Sequence, residues 1–186
     1  MEKDEISPEN LPLFLEQTID QAIARHRIEL TPPAREYLLE MLERFAADFE
    51  LYQEQWLTPV TFQYQRLMEE TDRLWQKQLG QELGDRCLFL VGYFYEFVRR
   101  SGDGQVEYHS QIGSTAYQQT KKGLLVELAE NFTNLYLVIG DLHLSELDDP
   151  EKLMEVYQKW EKTKDRYYAS LLLGKGIMPQ RLLKGN

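Results

Sequence analysis

Side chains with catalytic or metal-binding chemistry are few in this chain. It has three histidines and one cysteine. Di-iron helical bundles use two Glu-x-x-His pairs; this sequence has none, and His143 with Glu146 forms only the reversed pair. A mononuclear site from His109, His143 and a carboxylate stays open, but we favour histidines that are solvated or hydrogen-bonded within the fold. The sequence therefore predicts neither a metal nor a cofactor.

Nucleophiles and phosphate-binding loops are equally weak candidates. Cys87 begins an apolar run, where burial makes a thiol inert. Ser114 lacks the Gly-x-Ser-x-Gly motif that a nucleophile elbow needs. Gly102-x-Gly104 lacks the third glycine of a dinucleotide-binding loop. We predict no catalytic residue and favour a protein that is not an enzyme.

Polar residues around the apolar run are the candidate ligand-binding residues. Asp85 precedes the run, Arg99 follows it, and Tyr108, His109 and Tyr117 lie in the next segment. An acid near a helix start and a base near its end complement the helix dipole, which explains part of the pattern without any ligand. The other interpretation is a site between helices that binds a small anion.

The elements that would position these residues are helical. Residues 87–95 contain no charged or amide side chain, which is typical of a helix buried on all sides. We place this helix at about 81–99, after a helix end at Gly80. Apolar residues at i, i+3, i+4 and i+7 predict six further helices, at about 8–24, 32–55, 59–79, 106–121, 124–147 and 150–173.

The predicted fold is all-α, a single domain over residues 1–186. About seven helices form a bundle around the buried helix at 81–99, and residues 177–186 form a tail that docks on the core or stays mobile. Ser7, Thr31, Thr58 and Asp149 each precede a proline, the signature of a capped helix start. Arg44 is assigned to the charged face of the second helix.

The composition and charge of the chain limit the classes of partner that it can bind. The chain has 186 residues and a net charge of −10, and an acidic surface repels phosphate backbones, so we expect no nucleic acid. The apolar runs are too short for a membrane span, and a lone cysteine fits a reducing compartment. The sequence predicts a cytoplasmic protein with no membrane contact. Its basic C-terminal segment docks internally or binds an acidic partner.

One pattern resembles a known set of proteins. The run L-G-D-x-x-L-F-x-x-G-x-F at 83–94, followed by Gly113-x-x-Ala116-Tyr117, is similar to a motif of uncharacterised bacterial all-helical proteins. The resemblance implies a bacterial, cytoplasmic protein and brings no activity with it.

Two functions remain open from the sequence. The first is a non-enzymatic interaction or regulatory protein, with an unknown protein partner or a second copy of itself. Trp and Tyr are enriched at interfaces, and several fall at helix edges: Trp56, Trp75, Trp160, Tyr167 and Tyr168. The second is a small-anion or small-molecule binding protein, or an enzyme, with its site near Arg99, Tyr108, His109 and Tyr117.

Overall fold

The computed structural model describes residues 10–47 and 59–179, and every regular element in these ranges is a helix. The all-α prediction is therefore confirmed for this part of the chain. Its buried hydrophobic side chains form one core cluster, so the described residues make a single compact helical domain. The elements are α1 Leu11–His26, α2 Pro32–Ala47, α3 Val60–Glu69, α4 Arg73–Tyr93, α5 Tyr95–Arg100, α6 Gln105–Thr120, α7 Gly123–Glu130, α8 Phe132–Gly140, a 3-10 helix Asp141–Asp148, α9 Pro150–Thr163 and α10 Arg166–Gly174.

The described residues form more and shorter helices than the expected seven. The helix predicted at 124–147 is divided at Asn131 and again at Asp141. Asn131 donates its side-chain amide to the Glu127 carbonyl at 3.0 Å, and such local bonds compete with helical ones. The helix predicted at 150–173 is divided at Lys164, which has a left-handed backbone with φ 57°. Apolar periodicity continues across these breaks and does not reveal them.

Gly80 does not end a helix, contrary to the prediction. It lies inside α4, and a Cβ added there would lie 2.7 Å from the Ala116 carbonyl oxygen of α6. The chain breaks earlier, where Asp72 caps α4 by accepting the N–H groups of Leu74 and Trp75 at 2.8 and 3.2 Å. The predicted end at about residue 99 is also displaced, since α4 stops at Tyr93.

Glycines allow α4 and α6 to approach closely. A Cβ on Gly84 of α4 would lie 2.3 Å from Cδ1 of Tyr117, and a Cβ on Gly113 of α6 would lie 2.6 Å from Cβ of Cys87. The contiguous buried run in α4 extends from Leu83 to Gly92. This helix is consequently enclosed on all sides over that run, which includes residues 87–92 of the uncharged stretch but also the charged Asp85 and Arg86.

The proline-preceding caps behave differently from one another. Asp149 accepts the backbone N–H two residues further on at 2.9 Å, as predicted. The Thr31 hydroxyl instead donates to the Glu127 carboxylate at 2.6 Å, which joins the start of α2 to α7. The predicted caps Ser7 and Thr58 lie outside the described residues.

The predicted tail is described only in its first residues. Ile177 donates its backbone N–H to the Leu172 carbonyl at 2.9 Å and packs against the core. Met178 is exposed. Residues 180–186 lie outside the described range.

Replacing Gly84 with alanine tests the close approach of α4 and α6. Alanine normally favours a helix, but here its methyl group overlaps the Tyr117 ring, so we expect the free energy of unfolding to fall by about 2 kcal/mol. Gly123→Ala is the matched control, because a Cβ at Gly123 meets nothing within 4 Å. Urea unfolding followed by circular dichroism measures both. A Gly84→Ala protein as stable as the control would contradict this account of the packing.

Candidate functional site

Asp85 is a buried charge on which three helices converge. It lies in α4 and is 3% exposed. From α2, the Tyr37 hydroxyl lies 2.7 and 2.8 Å from its two carboxylate oxygens, and Arg44 Nη2 donates to Oδ2 at 2.7 Å. From α6, the Tyr117 hydroxyl donates to Oδ1 at 2.7 Å. One carboxylate thus joins α2, α4 and α6.

Burial controls the protonation of this cluster. It raises the pKa of the Asp85 carboxyl from 3.8 to about 6, even though Tyr37, Tyr117 and Arg44 act to lower it. Burial also raises the pKa of the Tyr37 and Tyr117 hydroxyls above their usual range. Asp85 can therefore gain a proton slightly below neutral pH, whereas both phenols remain hydrogen-bond donors.

A cavity of about 660 Å³ opens beside Asp85. Its described lining contains five cationic and two anionic side chains, a local charge of +3 in a chain whose net charge is −10. The charged side chains of the lining are Arg44, Arg66, Lys77, Glu82, Asp85, Arg86 and Lys122. The cavity is thus a basic region of an acidic protein.

Arg86 brings a buried positive charge to the cavity. It follows Asp85 in α4 and is only 6% exposed. Burial lowers the pKa of its guanidinium from the usual value, but an arginine stays charged at neutral pH because that value is so high. Lys122, at the start of α7, donates to the Gln81 side chain of α4 at 2.8 Å. Cationic groups from different helices therefore face one space.

The predicted site residue Arg99 lies away from this cavity. Its Nη1 donates to the Tyr168 hydroxyl at 3.3 Å, and its Nε is 3.5 Å from Oδ2 of Asp165. These partners belong to α10 and its cap. The structure thus places Arg99 in a contact between α5 and α10.

Tyr108 and His109 also lie apart from Asp85. The Tyr108 hydroxyl is 3.0 Å from the Thr61 hydroxyl, and His109 Nδ1 is 2.7 Å from the Gln105 carbonyl oxygen of its own helix. Burial lowers the pKa of His109. Of the five predicted residues, the structure brings together Asp85 and Tyr117 only.

Sequence reasoning missed Tyr37 and Arg44 as partners of Asp85. The pattern places Arg44 on the charged face of α2, but Tyr37 and Arg44 are seven residues apart, which is about two helical turns. They consequently share a face, with Met41 between them, and the Met41 sulfur lies 3.8 Å from the Tyr117 hydroxyl. The signal in the sequence that could have revealed this contact was one basic residue, Arg44, at the edge of the apolar stripe of α2.

A second cavity, of about 500 Å³, lies between α4, α5, the 3-10 helix, α9 and α10. Its lining is rich in aromatic side chains, and its charged groups pair with one another. Lys152 Nζ is 3.0 Å from Glu146, and Lys159 Nζ is 2.8 Å from Glu96. This cavity therefore lacks the excess of positive charge that marks the first.

A polar cluster joins α1, the 3-10 helix and α10. Asp141 is buried and accepts a bond from Arg25 Nη1 at 2.8 Å. His26 Nε2 lies 3.1 Å from Asp141 and 3.3 Å from the Ser170 hydroxyl. A catalytic triad uses the two different ring nitrogens of its histidine, whereas this arrangement uses one. The cluster fits a structural role.

The histidine and cysteine candidates do not come together. His143 Nε2 is 2.9 Å from the Tyr93 carbonyl oxygen and its Nδ1 is 2.8 Å from Glu146. Within residues 10–47 and 59–179, no three His, Cys, Asp or Glu side chains converge as a metal site would require. Cys87 is buried, and burial raises the pKa of its thiol to about 12.

The chain matches no protein-family model, no curated protein and no solved structure. The resemblance to uncharacterised bacterial proteins therefore stays a prediction. Among the described helices, none has both the length and the apolar character that crossing a membrane requires.

The raised pKa of Asp85 predicts a pH-dependent stability. The folded state holds the Asp85 proton more tightly than the unfolded state does, so this group favours folding below about pH 4 and that contribution is lost as the pH rises through 6. We expect the free energy of unfolding of the native protein, minus that of Asp85→Asn, to fall by roughly 3 kcal/mol between about pH 4 and pH 7. Urea unfolding at each pH measures the difference. A difference that does not change with pH, or that rises, would show that Asp85 ionises without a burial cost.

Proposed function

We propose that this protein binds a small organic anion in the 660 Å³ cavity beside Asp85. The observation that carries the proposal is the convergence of five cations on one space in an acidic chain: Arg44, Arg66, Lys77 and Arg86 from three helices, and Lys122 from the N-cap of a fourth. Binding is proposed rather than catalysis, since the described lining contains no serine, threonine, cysteine, histidine or tyrosine side chain.

The physical chemistry of the lining supports an anionic ligand. Like charges that share a space repel one another, and the repulsion grows where water is partly excluded. An anion offsets that repulsion through charge-assisted hydrogen bonds, which are shorter and stronger than neutral ones. The volume falls in the range of typical small-molecule sites, roughly 300–1,000 Å³.

Apolar side chains in the lining indicate a second property of the ligand, an uncharged part. Phe45, Leu79 and Leu83 also line the cavity. Ligand sites generally combine an apolar wall with a few placed polar groups. We infer that the ligand carries an uncharged body as well as a negative group.

The Asp85 cluster positions one of the cationic side chains of the cavity. Its bond to Arg44 holds that guanidinium at the cavity, and protonation of Asp85 removes a negative charge from the lining. The proposal takes α4 as the central helix of the bundle, because its buried run anchors Asp85 and Arg86 beneath the cavity.

Phenyl phosphate is a suitable first probe, since it combines an anion with an apolar ring. We expect isothermal titration calorimetry at low ionic strength to detect binding, and Arg86→Gln to weaken it about tenfold or more by removing a charge-assisted bond. Arg66→Gln, at an exposed side chain, keeps the test valid if Arg86→Gln fails to fold. Arg73→Gln is the matched control, because Arg73 is exposed on α4 and outside the lining. No binding, or equal loss in the control, would refute the proposal.

The interaction protein predicted from the sequence has support of its own. Large hydrophobic side chains are exposed on α3 and the first turn of α4, with Phe62 64%, Leu74 77% and Trp75 52% exposed. Exposed large apolar side chains are candidates for surfaces that contact a partner. We propose a second copy of the chain as that partner.

The oligomeric state tests this second proposal. We expect the mass measured by light scattering to be that of a dimer, and Trp75→Asp, at an exposed residue outside the lining of the basic cavity, to halve it by placing a charge in the contact. Leu13→Asp, at an exposed leucine of α1, should leave the mass unchanged. A native protein that is a monomer at high concentration would exclude a homodimer through this surface.

A further inference from the structure

The basic cavity is elongated along α4. Nine of the lining residues belong to α4: Leu74, Lys77, Gln78, Leu79, Gln81, Glu82, Leu83, Asp85 and Arg86. The first and the last of them are twelve positions apart, so the cavity extends along α4. Twelve residues of helix correspond to about 18 Å. The space is therefore long compared with a phosphate ion.

Its positive charges are separated into an inner and an outer group. At the inner end lies Arg86, which is buried, with Arg44 held on Asp85. At the other end, Lys77 is exposed. Nine residues of helix separate Lys77 from Arg86, which is about 13 Å.

The outer group also includes Arg66. Only residues 70–72 connect α3 to α4, and a connection this short makes consecutive helices antiparallel neighbours. Arg66 lies three residues before the end of α3, and Lys77 lies four residues after the start of α4. In antiparallel neighbours these two positions are at about the same level along the helices. Both side chains are exposed and both line the cavity.

The part between the two groups differs in character. Leu79 and Leu83 lie along the cavity between Lys77 and Arg86, and Leu83 is buried. Lys122 is held at this level by its bond to Gln81. The opposite charges of Lys122 and Glu82 lie in this section beside the two leucines, so a section with no net charge separates the two positive ends.

We propose that the ligand is an elongated organic dianion, with two anionic groups about 10 Å apart joined by an uncharged body. Its inner anionic group meets Arg86 and Arg44, and its outer group meets Lys77 and Arg66. The inference rests on the proposed function, because it specifies the ligand of the same cavity. A compact anion such as inorganic phosphate reaches one end only, and a monoanion meets only one of the two groups of cations.

A set of carboxylates with different lengths and charges tests the inference. Sebacate is a long α,ω-dicarboxylate, succinate is its short homologue, and decanoate is a monocarboxylate with the same chain length as sebacate. We expect calorimetry to show that sebacate binds about five- to tenfold more tightly than either of the others, since it alone reaches both groups of cations.

A variant at the outer end makes the test specific. Lys77→Gln should weaken sebacate to the affinity of decanoate and leave decanoate itself unchanged. Lys162→Gln is the matched control, because Lys162 is exposed on α9 and outside the lining. Lys77 is exposed, so its replacement leaves the folded core intact.

The outcomes separate this inference from the proposed function. Binding of phenyl phosphate or decanoate with no preference for sebacate overturns the elongated dianion but retains an anion site. Binding of a tetraglutamate peptide without binding of sebacate assigns the cavity to acidic peptides and also overturns it. If none of these anions binds, both proposals fail.

Discussion

The close approach of α4 and α6 is the constraint on which the rest of this structure depends. It requires glycine at positions 84 and 113, since a methyl group at either would overlap Tyr117 or Cys87. That approach brings the Tyr117 hydroxyl to the Asp85 carboxylate. Without these donors a buried charge would be strongly unfavourable. The packing of two helices therefore determines where the chain can hold a carboxylate, and the carboxylate in turn positions Arg44.

The charge distribution follows from the same geometry. The chain is acidic overall, yet five basic side chains line one cavity beside Asp85. Some bases elsewhere in the described residues pair with nearby acids, as Arg35 does with Asp20 at 2.6 Å and Lys152 with Glu146 at 3.0 Å. The excess of positive charge beside Asp85 is a local property of one cavity, and the proposed anion site rests on this imbalance.

The helical class was predictable because it depends on local periodicity, and the burial of residues 87–92 in α4 was predictable because this stretch lacks charge. The helix breaks at Asn131 and Lys164 were not predictable from the sequence, since a break at one residue leaves the period of the apolar residues unchanged. Gly80 was misread because a glycine suits a helix end and a close contact equally well. For the site, Asp85 and Tyr117 share a motif, but their partners Tyr37 and Arg44 come from a distant helix. Which distant side chains meet is a property of packing, which no spacing in the chain records.

The close contact between α4 and α6 also limits the reactivity of Cys87. Its thiol is fully enclosed and its Cβ faces the glycine at position 113, and burial keeps the thiolate population negligible near neutral pH. A thiol reagent can therefore react only during excursions in which the two helices separate locally. The rate at which a thiol reagent modifies Cys87, the only cysteine of the chain, therefore reports how often the interior of this bundle opens.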